Sequence, residues 1–258
     1  MERLRKHANR GLSKRQLVFW GMLFVLAGMV GRSYLQNRVL QIGTLTGQQL
    51  LEVMSSSGAA MAAATASLVM QALETCAVPI FAFLLADGFQ KTKSRRKMFL
   101  SLALTAVISE LPYNLVMSGK LVDLTSRNPV VAMVIGMLVL YFFRRYEEKA
   151  MKNVLVKIAV SIAAVLWCVM LNVTHGVALL VVTVVMWALR NKGQLRVLFG
   201  AVAATACSIV SLFYMISAMG VLPVHLYREE EEQTEDGVML YLAYPALLLA
   251  VGLLSNLI

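Results

Sequence analysis

A chain of 258 residues that is 59% hydrophobic and only 15% charged, with a mean hydropathy of +0.72, is too apolar for a water-soluble domain. Its net charge of +10 does not indicate nucleic acid, because the basic residues sit in short clusters between apolar runs and form no continuous groove or helix stripe. Cys76, Cys168 and Cys207 lie inside apolar segments with no C-x-x-C pair and no neighbouring histidine, so they encode neither a zinc site nor a disulfide framework.

Residues 1–15 form a basic segment with six lysines and arginines, followed by an apolar run. The pattern has the outline of a secretory leader, but Gly31-Arg32-Ser33-Tyr34 is a poor cleavage site, so the run is read as a retained first span. Apolar runs of membrane-crossing length recur at 16–34, 59–89, 98–117, 128–143, 153–171, 174–190, 197–219 and 238–258. They predict an all-α, polytopic transmembrane helix bundle of about eight spans, with 1–258 as a single integral membrane domain. The joint over 33–58 carries Leu45, Leu50, Leu51, Val53 and Met54 among glutamines, which suits an amphipathic helix on the outer surface. The second run is read as one continuous rod, since near Glu74 it has no Gly, Asn or Asp to turn on and Pro79 is compatible with a kink.

With that threading, 19 basic residues fall on the side of the N-terminus and 5 on the other: Arg32, Arg38, Lys120, Arg127 and Arg228. The positive-inside rule makes the first side cytoplasmic and puts both termini there. It also makes the acidic joint over 220–237 an outer one.

Three carboxylates fall within or at the ends of spans, where an ionisable group costs ~2.5–3.5 kcal/mol on insertion scales and needs a partner or a purpose. Ser67, Gln71 and Glu74, at i, i+4 and i+7, form one polar stripe. Asp87 ends the same span. Glu110 and Asn114 share a face around Pro112, which leaves the carbonyl of Ile108 without its helical donor. Each carboxylate reads either as a site residue or as a hydrogen-bonded lock between helices. His175, at the outer start of the sixth span, and His225 are the candidate bases near neutral pH. Lys91, Lys93, Arg95 and Arg96 either mark topology or hold a pyrophosphate.

From Cys76 the chain reads C-A-V-P-I-F-A-F-L-L-A-D-G-F-Q-K-T-K-S-R-R-K, then I-S-E-L-P-Y-N-L from Ile108, then N-P-V-V-A-M-V-I-G-M-L-V-L-Y-F-F-R-R from Asn128. These segments resemble the TraX family, known for conjugation-associated membrane proteins whose founding member N-acetylates pilin. The match is densest over 76–145, and Leu222-Pro223 with Tyr244-Pro245 are similar to the family's closing pattern. The chain departs from it at several points. The first span reads Val25 to Gly31 with no Asp-His pair, Leu247 stands where a Y-P-x-H histidine would be, and the N-x-F-F segment is Asn128-Pro129-Val130-Val131. The resemblance implies a multi-pass protein of the bacterial inner membrane that transfers an acetyl or other acyl group from acetyl-CoA to an acceptor protein or envelope component in the membrane. Under it, Glu110, Asp87 and His175 form the catalytic set. Asn114, Tyr113, Glu74 and Asn128 line the acceptor path, and Lys91, Lys93, Arg95 and Arg96 receive the coenzyme. No metal, no permanently bound cofactor and no nucleic acid are expected, while the lipid bilayer is an expected partner. The alternatives are a non-catalytic binding or assembly protein that keeps the fold, and a small-solute transporter, which the lack of a repeat between the two halves disfavours.

Overall fold

The structure is a computed structural model that describes residues 11–42, 45–148, 150–228 and 237–257. Most of the basic segment 1–15 and the acidic run Glu229 to Asp236 lie outside the described residues. Among the described residues every regular element is helical, and strand-like pairing is limited to isolated bridges of Leu12 with Tyr227 and Arg127 with Val173.

Helix α1 (Lys14–Val30) opens on a capping box between Ser13 and Gln16 and continues into a wider, π-helical stretch over Gly31–Val39. Thr46 and Gln49 repeat the box for α2 (Gly47–Ser56), the amphipathic helix the sequence predicts, none of whose residues is buried. There follow α3 (Gly58–Glu74), α4 (Ala77–Lys91), α5 (Arg95–Ser118), α6 (Val130–Arg145), α7 (Met151–Met170), α8 (Gly176–Ala188) and α9 (Gly193–Ala206). The chain then makes 3-10 turns at Cys207–Ile209 and Leu212–Gly220, a short α10 (Val221–His225) and α11 (Gly237–Leu257). Four stretches are long and apolar enough to cross a membrane: Lys14–Val39, Gly58–Lys91, Arg95–Ser118 and Met151–Met170. Helix α7 exposes Leu155, Ile158, Ile162 and Leu166 along one side, a stripe that only lipid or another apolar surface solvates well. Helix α4 runs through the core, with Ile80, Leu85 and Phe89 fully buried.

The rod expected over 59–89 is interrupted where Glu74 ends α3. Thr75 and Cys76 donate to the carbonyls three residues back, at Ala72 and Leu73, and Val78 donates to Thr75. Pro79 has no N–H with which to continue the α-helical ladder onto Thr75, so the turn tightens there.

The span expected over 197–219 folds back on itself. Arg196, near the start of α9, faces Asp87 at the end of α4, with 3.6 Å between the charged atoms. The chain climbs to Cys207, reverses, and descends until Arg228 N donates to Leu12 O at 2.9 Å and Leu12 N to Leu226 O at 2.7 Å. Residues 193–228 are therefore a hairpin that enters and leaves at the end of the bundle where α1 begins. Arg228, expected on the opposite side, lies beside Leu12. The hairpin docks on the α3–α4 break: Thr75 Oγ1 donates to Phe213 O at 3.1 Å and Cys76 Sγ to Ile216 O at 3.4 Å. Only glycine fits at 220, where a Cβ would lie 1.8 Å from Cys76 O.

With residues 193–228 folded back, α11 starts on the α1 side and runs alongside α5, its Gly252 against Leu115. It ends where the Arg38 guanidinium donates to Ser255 O. Arg38 and Leu12 are at opposite ends of the α1 rod, so α11 ends opposite the start of α1, whereas the sequence places both termini on one face.

Helix α6 starts low. Gly119 caps α5 in the left-handed region at φ 69°, and the joint then turns back down into the bundle. On the way Asp123 accepts the Thr125 amide, a bond that holds this exposed carboxyl below the usual carboxylate range. Asn128 ends level with Glu110 and Ala106, about 12 Å below the end of α5 at 1.5 Å per residue.

Candidate functional site

Three polar centres lie within the bundle. The central one gathers residues from four segments. Glu74, the last residue of α3, sends Oε2 to the Arg32 guanidinium at 2.9 Å, and its Oε1 lies 3.4 Å from His175 Nε2. His175 Nδ1 is 2.6 Å from the Tyr214 hydroxyl on the hairpin. Arg32 also donates to Gln71 Oε1 at 3.3 Å, and Gln71 to Ser67 Oγ at 3.0 Å, so the Ser67, Gln71 and Glu74 stripe faces protein as its period requires. The side chains of Arg32, Glu74 and His175 are 18%, 10% and 12% exposed, shielded enough for charges to interact strongly.

Local backbone explains how they meet. The π-helical stretch shifts the register after Val30 so that Arg32 turns inward. Gly28 leaves room for the carboxylate. His175 caps α8 in the left-handed region at φ 58°, uncommon for a residue with a side chain, and Gly176 behind it packs against Val173 and Cys168. On the other limb the 3-10 period of three puts Tyr214, Ser217 and Gly220 on the buried side, while Leu212, Met215 and Met219 face outward. Tyr113 meets the Thr174 hydroxyl next to His175.

The second centre is a loop anchor. Glu110 takes Arg127 on Oε1 at 3.0 Å and Asn128 Nδ2 on Oε2 at 2.6 Å; Asn128 Nδ2 also reaches Ala106 O at 2.9 Å. Through Arg127 the joint is stitched to the α7–α8 turn, with Arg127 N donating to Asn172 O and Thr174 N to Arg127 O. The lower centre pairs Asp87 with Lys91 at 3.1 Å and with buried Arg196 at 3.6 Å; Arg196 lies over the Phe83 ring and Lys91 near Tyr227.

The family model described as TraX protein matches residues 23–255. The chain belongs to the TraX family. No curated protein and no solved structure matches it.

In this TraX-family chain the residues singled out from sequence divide among the three centres. Glu74 and His175 come together, with Tyr113 one residue away through Thr174. Glu110 and Asn128 come together in the loop anchor, Asp87 and Lys91 in the lower centre, and the two are separate. Asn114 turns from Glu110 and donates to Leu121 O at 3.5 Å, which braces the loop. Lys93 and Arg96 are exposed and Arg95 lies over the Phe89 ring. No cluster of His, Cys, Asp and Glu fit for a metal occurs among the described residues. Sequence reasoning missed Arg32, Arg127 and Arg196, which it took as topology markers, and Tyr214, which it took as part of an apolar span. A membrane carboxylate demands a cation, and that demand was the available signal for the arginines.

Proposed function

We propose that this protein is a membrane acyltransferase whose working centre is the Glu74–His175 pair. The observation that carries the reading is the imidazole held 3.4 Å from a buried, arginine-paired carboxylate. In this reading the Glu74 carboxylate, which can only accept hydrogen bonds, sets the proton of the neutral ring on Nε2 and leaves the opposite nitrogen as the base. Glu74 stabilises the imidazolium that forms when an acceptor amine or hydroxyl gives up its proton, the carboxylate–imidazole arrangement that acyl transfer uses. Tyr113 and Thr174 hydroxyls and Arg32 are donors within the same centre for an oxyanion on the thioester carbonyl. The first helix lacks an Asp-His pair, yet α3 and the start of α8 supply a carboxylate and an imidazole against it.

The donor in this reading is acetyl-CoA or another acyl-CoA from the cytoplasmic side. Counting Arg228 beside Leu12 leaves 20 basic residues on that side and 4 on the other, and two of the four, Arg32 and Arg127, are neutralised by Glu74 and Glu110. The protein then crosses the bacterial inner membrane seven times, with the hairpin entering from the cytoplasm. Asp87 lies thirteen residues beyond Glu74, across the turn between α3 and α4, about 20 Å at 1.5 Å per residue, a distance a pantetheine arm can bridge. Exposed Lys93 and Arg96 suit the diphosphate. The acceptor is a protein or envelope component in the membrane.

A non-catalytic role in binding or assembly is favoured by one observation: each of the three carboxylates, Glu74, Asp87 and Glu110, already has its cation. The two readings separate when the protein in nanodiscs is given labelled acetyl-CoA and a membrane extract. Acyl transfer predicts labelled acceptor that Glu74→Gln abolishes; no labelled acceptor in any condition contradicts it and leaves the assembly role.

A further inference from the structure

Before Tyr214 is acylated, the base nitrogen of His175 is not open to an incoming acceptor. It already faces a hydroxyl, that of Tyr214, at 2.6 Å. The order Tyr214 hydroxyl, His175 Nδ1, His175 Nε2, Glu74 Oε1 is that of a nucleophile, its base and the group that orients the base. Arg32 completes the chain at 2.9 Å from Glu74 Oε2. Two of the three thiols, otherwise better nucleophiles, donate instead to carbonyls, Cys76 to Ile216 O and Cys207 to Ala203 O. Tyr214 is carried on a hairpin limb whose 3-10 period holds it inward, and that limb is fixed at the Phe213 and Ile216 carbonyls by Thr75 and Cys76. A tyrosine used only as packing needs no imidazole at its hydroxyl and no carboxylate behind that imidazole.

Resting on the acyl-transfer reading, we propose that Tyr214 is the acyl carrier and that the reaction passes through a transient acyl-tyrosine ester. His175 Nδ1 takes the phenolic proton and the phenolate oxygen attacks the thioester carbonyl. The carbon–sulfur bond breaks, and the departing coenzyme thiolate takes the proton from the imidazolium, giving the aryl ester and free thiol. In the second half the acceptor amine or hydroxyl gives its proton to His175 and attacks the ester carbonyl. The bond to the phenolic oxygen breaks, and the phenolate recovers the proton. A phenolate is stabilised by its ring and is a far better leaving group than an aliphatic alkoxide, so the aryl ester remains an active acyl donor. Two half-reactions at one oxygen also let donor and acceptor visit the centre in turn, without a pocket that holds both.

The test incubates the full-length protein in nanodiscs with acetyl-CoA and no acceptor, quenches in acid, titrates released thiol and maps acetylated peptides by mass spectrometry. The proposal expects a stoichiometric burst of thiol and an acetyl group on Tyr214 that a membrane extract then removes. Tyr214→Phe, which keeps the ring, retains the thermal midpoint but loses both the burst and the transfer. Transfer to acceptor that survives Tyr214→Phe, or wild-type transfer with no acetyl on Tyr214, overturns the carrier and leaves the acyltransferase standing. Wild-type protein that gives neither burst nor transfer overturns both.

Discussion

The Glu74 carboxylate fills the space that Gly28 leaves open: a Cβ on Gly28 would lie 2.2 Å from Glu74 Oε2 and 2.5 Å from Glu74 Cβ. Gly28→Ala suits the helix but forces the carboxylate away from Arg32 and His175. Overpacking of this kind costs about 1–3 kcal/mol. The thermal midpoint in detergent should fall and acyl transfer should be lost, whereas Gly58→Ala, where nothing lies within 4 Å, leaves both intact. An unchanged Gly28→Ala protein would remove Glu74 from the geometry described.

Arg32 and Glu74 are largely shielded partners, and losing one leaves the other charge uncompensated. Removing either partner of a buried pair costs about 3–5 kcal/mol, while replacing both is far cheaper. Denaturation of Arg32→Met, Glu74→Gln and the double variant should therefore be strongly non-additive. Additive losses would mean that the two side chains do not meet.

Glu110 and Asn128 anchor the joint that starts α6. Hydrogen bonds to a charged group are worth about 1.5–3 kcal/mol. Glu110→Gln is expected to lower stability by that order and to leave acyl transfer within a few-fold of the parent. Complete loss of transfer with an unchanged melting curve would return Glu110 to the catalytic set.

The hairpin sets the membrane layout. In a cysteine-free background, single cysteines at the exposed positions Lys93 and Arg228 should react with an impermeant maleimide from the cytoplasmic side, and one at exposed Lys120 from the opposite side. A reporter behind α11 should read from the side of Lys120. Labelling of Arg228→Cys and Lys120→Cys from one side would show that 197–219 crosses after all. Gly220→Ala, whose Cβ would strike Cys76 O, should prevent the hairpin from docking and lower the yield of folded protein.

The sequence carried the helical class, the family and the buried stripe of Ser67, Gln71 and Glu74, because apolar run length and helical period are local properties. It also brought out His175 and Glu74, but not their meeting, since 101 residues separate them and only tertiary packing joins the start of α8 to the end of α3. The hairpin was illegible for a related reason. Residues 197–219 are as apolar as a crossing, and what turns them back is the docking of Phe213 and Ile216 carbonyls on Thr75 and Cys76. Tyr214 went unnoticed because a tyrosine in an apolar run looks the same whether its hydroxyl faces lipid or an imidazole. Arg32 was read for the side of the membrane it marked, and its inward turn depends on the π-helical stretch that begins at Gly31.

The most direct measurement compares wild type and His175→Gln in nanodiscs, recording thermal midpoint and rate of acyl transfer from labelled acetyl-CoA on the same samples. With His175 as the base, the variant keeps a cooperative melt close to that of the parent and loses about 10²–10⁴-fold in rate. A variant that transfers acyl groups at the parental rate contradicts the assignment of Glu74 and His175 as the working centre.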